Sequence, residues 1–137
     1  MYQKSALRVL LVDPCNDFRY VFCRLLRLMG YTVETASNAD EALKEVRLFA
    51  PDVVLTELSL GDDVGGLELA RRLRVLPFSD DMRLVALSGY VLANTETRAL
   101  EVGFDWFLAK PLTSERIAEV LQAVAEIKDR KPKARCH

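Results

Sequence analysis

The chain has 137 residues, of which 50% are hydrophobic and 28% are charged. These proportions are typical of one globular domain, and they exclude collagen, coiled coils, disordered chains and disulfide scaffolds. Nineteen basic and 20 acidic side chains leave a net charge of −1, which creates no overall field for nucleic acid or a membrane surface. The only histidine is the last residue, His137, so metal sites and catalytic triads built on histidine are excluded from the core.

The cysteines and the apolar runs predict a cytoplasmic protein. Three cysteines are present, Cys15, Cys23 and Cys136, and none forms a C-x-x-C pair. Because no apolar leader stands at the start of the sequence, their odd number indicates free thiols in a reducing compartment. The apolar runs are only a few residues long, which is too short to cross a membrane.

The first strand and helix are marked by a change in the spacing of apolar residues. Residues 7–12 form a short apolar run, typical of a strand buried on both faces. A helix is predicted over residues 16–29, because apolar side chains recur there at intervals of three and four. Gly30 would end this helix as a left-handed cap. The predicted buried stripe contains Phe18, Val21, Phe22, Leu25, Leu26 and Met29.

The second strand and helix follow directly. Residues 32–36 are rich in β-forming side chains. Asn38 and Glu41 then have the spacing of a capping box, which predicts the start of a helix. Pro51 would end that helix. Its predicted inward side chains are Ala42, Leu43, Val46 and Phe49.

The middle of the chain continues the alternation. Residues 53–56 are a third apolar strand, and residues 58–66, with three glycines and two aspartates, form a loop. A third helix is predicted over residues 67–75, a turn over residues 77–81 and a fourth strand over residues 84–87. The third helix would turn inward Leu69, Leu73 and Leu76.

The last two helices flank the fifth strand. Asn94 can cap a fourth helix that ends at Gly103, residues 106–109 are the strand, and Thr113 or Ser114 caps the final helix. Five alternations of this kind predict an α/β fold with a doubly wound sheet of five parallel strands and five helices. The final helix would turn inward Ile117, Val120, Leu121, Val124 and Ile127.

Polar side chains follow four of the predicted strands. They are Asp13, Glu57, Ser88 and Lys110. In a doubly wound sheet the functional groups gather beyond the carboxyl ends of the strands, so these four should meet in one crevice. Two carboxylates, a hydroxyl and an ammonium suit a phosphoryl group or a small oxyanion better than acyl transfer, which needs a nucleophile beside a base.

The sequence resembles the response-regulator receiver domains of two-component systems, the CheY-like family, over about residues 7–127. The motifs that carry the resemblance are LLVD at 10–13, PDVVLTEL at 51–58, GGLELARRLR at 65–74, VALSGY at 85–90 and GFDWFLAKP at 103–111. The resemblance implies a flavodoxin-like strand order of 2-1-3-4-5. It also implies an N-terminal tail over residues 1–6, a receiver domain over residues 7–128 and a basic C-terminal tail over residues 129–137.

The resemblance also implies roles for the strand-end residues. In the family, two adjacent acids after the first strand and an aspartate after the third hold Mg²⁺, and that aspartate accepts a phosphoryl group from a histidine kinase. A hydroxyl and a lysine bind the phosphoryl oxygens. Asp13 matches the first acid, Ser88 the hydroxyl and Lys110 the lysine, and the Lys110–Pro111 bond is expected to be cis as is common in the family.

Two positions depart from this pattern. Pro14 replaces the second acid, and Glu57 stands at the phospho-acceptor position. Losing one carboxylate and lengthening another predicts Mg²⁺ binding at Asp13 and Glu57 that is weak or absent, with no other cofactor expected. Glu57 is long enough to reach Lys110 or Ser88, either as a mimic of the phosphorylated state or as a passive relic.

Several readings stay open at this point. Pro14 is either tolerated at a helix start or a device that switches the site off. Asp62 or Asp63, in the loop after the third strand, is an alternative phospho-acceptor. Gly61 replaces the usual proline of that loop, and Phe107 takes the place of the aromatic switch residue, without the usual hydroxyl.

The output surface is predicted on the face formed by helix four, strand five and helix five. Trp106 is either an exposed interface anchor, with Val91 and Leu92 nearby, or a side chain packed under a helix. A homodimer through this face is possible in the family. The stretch 128–135 carries five basic residues and one acid, and it is read as a solvated tail or the stub of a linker, with no nucleic-acid contact expected.

The sequence therefore predicts a non-enzymatic signalling module. It would work through contacts with a histidine kinase or another signalling protein, without phosphorylation. The alternative is a working phosphorelay receiver. An aspartate-based phosphatase is disfavoured because Cys15 stands where the second acid is needed, and a flavin carrier because the loop after the first strand lacks a Ser/Thr-rich phosphate site.

Overall fold

The computed structural model describes residues 7–61, 65–89 and 92–130. The strands are β1 (Arg8–Val12), β2 (Thr32–Ala36), β3 (Val53–Glu57), β4 (Arg83–Ser88) and β5 (Trp106–Ala109). The helices are α1 (Asn16–Leu28), α2 (Ala39–Phe49), α3 (Gly66–Arg74), α4 (Thr95–Glu101) and α5 (Ser114–Arg130). A single 3₁₀ turn, Ser79–Asp81, precedes β4.

The five strands form one parallel sheet in the order β2-β1-β3-β4-β5. The predicted doubly wound fold and its strand order are confirmed. Alternate residues of β1 enter two separate apolar cores: Val9 and Leu11 pack with α1 and α5, whereas Leu10 and Val12 pack with α2, α3 and α4. Burial on both faces explains why the strands are continuous apolar runs, and each fully buried Leu contributes about 1.5–3 kcal/mol.

Helix α1 has a narrower buried face than the apolar spacing predicted. Phe22 and Leu26 are buried, but Val21 is 64% exposed, so its place in the buried stripe was wrong. Val21 lies about 100° around the helix from Phe22, outside the arc that faces the sheet. The helix stops as expected, with Gly30 in the left-handed region at φ +99°.

The predicted caps of α2 are present with one change. The Asn38 side chain accepts the Glu41 N–H at 2.9 Å, as a helix cap should. The Glu41 carboxylate, however, accepts from the N–H and the hydroxyl of Ser37, one residue before the position a capping box uses. These two bonds lower the pKa of Glu41. At the other end Ala50 adopts φ +52° directly before Pro51.

The last two helices differ in their caps. Asn94 stands at the N-cap of α4, but its side chain makes no capping hydrogen bond. The hydroxyl of Thr113 accepts the Arg116 N–H at 3.0 Å and caps α5, so of the two predicted candidates it is Thr113 that caps. Helix α5 runs to Arg130, two residues past the predicted domain end at 128. The predicted tail 1–6, and residues 131–137 of the predicted tail 129–137, lie outside the described residues.

Arg74 ties the loops before β4 and β5 together. Its guanidinium donates to the carbonyls of Gly103, Ser79 and Met82 and to the Asp105 carboxylate. These five bonds, here named the Arg74 clasp, use every N–H group that a guanidinium has. Gly103 has φ +115°, and a Cβ there would lie 2.9 Å from Cγ of Arg74, so the clasp needs glycine at this position.

Two cysteines lie within the described residues. Cys15 is exposed and Cys23 is buried, and both are free thiols. No helix within the described ranges is long and apolar enough to cross a membrane.

Candidate functional site

The carboxyl edge of the sheet brings the four predicted site residues to one place. Asp13 follows β1, Glu57 and Ser88 end β3 and β4, and Lys110 follows β5. Neighbouring strand ends are tied by backbone bonds, and the Lys110 N–H donates to the Ser88 carbonyl at 2.8 Å. The predicted convergence of these strand ends is present. The Lys110–Pro111 bond is cis, as expected.

Glycine allows helix α3 to begin directly behind Glu57. A Cβ at Gly66 would lie 2.7 Å from the Glu57 carbonyl oxygen and 2.8 Å from Cα of Leu58. Any other residue would force the start of α3 away from the end of β3. The backbone that carries Glu57 is therefore fixed by close packing.

Lys110 lies between the two carboxylates. Its Nζ is 2.9 Å from Oδ2 of Asp13 and 3.1 Å from Oε2 of Glu57. The Asp13 side chain is 2% exposed and that of Glu57 is 10% exposed, whereas Lys110 keeps 22%. These three side chains, named here the carboxylate–lysine cluster, carry a net charge of −1. Glu57 reaches Lys110, as its extra methylene predicted.

The two carboxylates are satisfied to different degrees. Oδ1 of Asp13 accepts the Cys15 N–H at 2.8 Å, and Oδ2 accepts from Lys110. Arg19 supports the same residue by donating to its main-chain carbonyl at 2.7 Å. Oε2 of Glu57 is buried and, within the described ranges, has an ion-pair contact with Lys110 but no hydrogen bond of acceptable geometry. Asp13 thus has a main-chain donor in addition to the ammonium, whereas Oε2 of Glu57 relies on the ion pair.

Two opposing effects act on the pKa of Lys110. Burial alone would lower it, but the contacts with Asp13 and Glu57 outweigh burial and raise the pKa above the usual value. Lys110 therefore stays an ammonium at neutral pH.

The donor set is poor in oxygens for Mg²⁺. This ion takes six oxygen ligands in near-octahedral geometry, usually carboxylates and waters. Pro14 is exposed and supplies no side-chain oxygen, and both carboxylates of the cluster face the ammonium. Among residues 7–61, 65–89 and 92–130, no group of three or more acidic, histidine or cysteine side chains is arranged to hold a metal.

Sequence reasoning missed one side chain of this site. Nζ of Lys110 lies 4.0 Å from the ring centroid of Phe18, within cation–π range. Phe18 was assigned only to the buried stripe of α1. The signal available was its place in the first turn of the helix that follows Asp13, which puts it beside the carboxyl edge.

The predicted output residues have mixed positions. Trp106 is half-buried and packs against the core shared with α1 and α5, and Phe107 packs on the opposite core. Of the two predicted positions for Trp106, the structure shows a side chain packed against the core. Leu92 is 61% exposed, while Val91, Asp62 and Asp63 lie outside the described residues.

Comparison with known proteins identifies the family. The chain matches the response regulator receiver domain over residues 9–122. It belongs to that family. Receiver domains are signalling modules of two-component systems, so the predicted class of protein and its fold are confirmed.

Three relatives illustrate the range of the family. The chain is 33% identical to a gliding motility regulatory protein of Myxococcus xanthus over 76% of its own length, and 30% identical to the sensor histidine kinase RcsC of Salmonella typhi over 88%. It spans only 13% and 12% of those proteins. A response regulator from Burkholderia pseudomallei, solved with a phosphorylated aspartic acid and a calcium ion, is 33% identical with a TM-score of 0.76, covering 90% of this chain and 71% of that one.

Proposed function

We propose that this receiver domain acts through protein–protein contacts, without phosphorylation of residue 57 and without enzymatic activity. The observation that carries the proposal is the position of Lys110 between Asp13 and Glu57. The ammonium is held by two buried carboxylates. A phosphorylatable receiver, in contrast, needs its lysine to meet an incoming phosphoryl group.

Glu57 is a poor phospho-acceptor for reasons of position. One additional methylene moves the carboxylate by about 1.5 Å relative to aspartate. Phosphoryl transfer depends on alignment and charge stabilisation, and a misplacement of about 1 Å can cost roughly 100-fold in rate. We therefore expect transfer to Glu57 to be negligible.

Mg²⁺ binding should be weak or absent for reasons of charge. Replacing an acid by Pro14 removes one negative charge from the cluster, and a unit charge about 4 Å away is worth up to ~4 kcal/mol at an effective dielectric of ~20 before desolvation. A fraction of that is a tenfold or greater loss of affinity. Titration of the wild-type chain with Mg²⁺ should show no saturation at physiological concentration, and saturation there would contradict the proposal.

Glu57 also places a negative charge 3.1 Å from Lys110, near where a phosphoryl oxygen would lie. This supports a constitutive state in which Glu57 partly mimics phosphorylation. A passive role for the same ion pair predicts the same contact, so the two differ only in partner binding. If Glu57 is a mimic, Glu57→Gln weakens binding of a signalling partner, and if it is passive the affinity is unchanged.

The proposed partners are a histidine kinase or another signalling protein, or a second copy bound through the face of α4, β5 and α5. Leu92 and Leu100 give that face exposed apolar surface, at 61% and 46%. Leu100→Ala tests the dimer: because Leu100 is exposed on α4, we expect the fold to persist and the complex to weaken. The proposal includes no nucleic-acid partner and a cytoplasmic location, the latter supported by the free thiols of Cys15 and Cys23.

The deciding experiment is phosphorylation by acetyl phosphate with Mg²⁺, followed by intact mass. The wild type should gain no phosphoryl group, and the double variant Pro14→Asp, Glu57→Asp should gain one. Glu57→Asp alone is the matched control and should be modified more slowly than the double variant. Modification of the wild type would support the alternative function, a working phosphorelay receiver.

A further inference from the structure

The ring of Phe18 lies against the Lys110 ammonium, in addition to the two carboxylates. Phe18 lies in the first turn of α1, and its ring centroid is 4.0 Å from Nζ. A cation over the face of an aromatic ring is attracted by the negative potential of that face. Lys110 therefore has a third partner, a side chain that carries no charge.

The ring is itself anchored. Phe18 stacks on Phe22 one helical turn later, with centroids 5.0 Å apart and planes 14° from parallel. Phe22 is only 6% exposed and belongs to the core between α1, the sheet and α5. Stacking between residues i and i+4 of the helix therefore holds the Phe18 ring in place.

We infer that Phe18 is a positioning residue that fixes the Lys110 ammonium against Asp13 and Glu57. This inference rests on the proposed function and deepens it. The ammonium therefore already has two carboxylates and an aromatic ring as partners when no phosphoryl group is bound. The resting arrangement thus depends on a third residue besides Pro14 and Glu57, one that belongs to α1 and not to a strand end.

The test reads the surroundings of Lys110 directly, without phosphorylation. Protons near the face of a ring are shifted upfield, so the ε-methylene protons of Lys110 should resonate upfield in the wild-type chain labelled at lysine. Phe18→Leu should abolish that shift, and Phe18→Tyr, which keeps the ring, should retain it. If Phe18→Leu does not fold, a normal Lys110 resonance in the wild type or in Phe18→Tyr overturns the inference.

A matched control exists on the same helix. Tyr20 also faces a cation, the guanidinium of Arg24 at 5.9 Å, and it is 66% exposed. Tyr20→Leu should leave the Lys110 resonance unchanged.

A second readout is the rate of reductive methylation at Lys110. Phe18→Leu should raise it roughly two- to fivefold, which corresponds to the free energy of a cation–π contact at a partly exposed site. An equal increase in Tyr20→Leu, or none in Phe18→Leu, overturns the inference. Neither readout involves Mg²⁺ or phosphate. The inference on Phe18 can therefore fail while the proposed function stands, and the proposed function can fail while the inference stands.

Discussion

Two charged clusters lie at opposite edges of one sheet, and their hydrogen bonding differs. At the amino edge, the Arg74 clasp uses all five N–H groups of the guanidinium, and Oδ2 of Asp105 also accepts the Leu84 N–H. At the carboxyl edge, Lys110 faces two buried carboxylates, and Oε2 of Glu57 has no hydrogen bond within the described ranges. The clasp uses every donor of its guanidinium, whereas the carboxylate–lysine cluster leaves one buried carboxylate oxygen with an ion-pair contact alone.

The largest expected effect is at the amino edge. Arg74→Ala removes the five hydrogen bonds of the clasp, while Asp105 keeps the Leu84 N–H and its ion pair with Arg83. Breaking a mostly buried charged network typically costs about 3–5 kcal/mol, and we expect that loss in the free energy of unfolding measured with urea. Arg71→Ala is the matched control on α3, since Arg71 only pairs with Glu68 at the surface and should cost under about 0.5 kcal/mol. Equal losses in the two variants would contradict the role of the clasp.

A smaller effect is expected at the carboxyl edge. Lys110→Met keeps the aliphatic stem but leaves Asp13 and Glu57 without a cation. We expect a loss of about 2–3 kcal/mol, below that at Arg74 because the carboxylates can take up protons or water. A loss above that of Arg74→Ala would reverse the comparison.

The pH dependence separates the two edges further. The pKa of Lys110 is raised above the usual 10.5, so its stabilising contribution is complete below pH 10.5 and is lost as the pH rises through the folded-state value. Arginine does not titrate in this range. The stability difference between wild type and Lys110→Met should narrow above pH 10.5, and that between wild type and Arg74→Ala should not. Urea unfolding of all three between pH 8 and about 11.5 measures it.

The smallest effect is expected at Glu57. Glu57→Gln removes the ion pair with Lys110 but also the repulsion between two carboxylates that share one cation, so stability should change by less than about 1 kcal/mol. Asp13→Ala is the comparison, because it also removes the acceptor for the Cys15 N–H and should cost about 1–3 kcal/mol. Chemical denaturation of both variants gives their free energies of unfolding, from which the two losses are compared. A larger loss at Glu57 would show that its buried oxygen is better bonded than its geometry indicates.

Most of the fold could be predicted from the sequence because its strands are buried on both faces. Apolar runs such as residues 53–56 have no other simple explanation in a chain this size. The spacing of apolar residues in the helices was a weaker guide. At Val21 it did not reveal that the residue lies outside the arc of α1 that faces the sheet. The capping preference of asparagine was wrong at Asn94, whose side chain has the right chemistry for a cap but does not make the hydrogen bond.

The candidate site was predictable to the extent that it is made of strand ends. Asp13, Glu57, Ser88 and Lys110 follow from the rule that parallel strands meet at one edge. Phe18 does not follow from it, because contact between α1 and Lys110 depends on how far the helix start leans over the edge. Its place in the first turn of α1 puts Phe18 beside the carboxyl edge, but its contact with a lysine 92 positions away depends on the three-dimensional path of the chain.

The glycine at position 103 has a mechanical consequence. Strand β5 has only four residues, about 13 Å of rigid chain, with the Arg74 clasp at one end and Lys110 at the other. A side chain at Gly103 would push on Arg74, and so short a strand has little slack to absorb the movement. Replacing Gly103 is therefore expected to disturb the clasp and, through this short strand, the backbone that carries Lys110 at the other edge of the sheet.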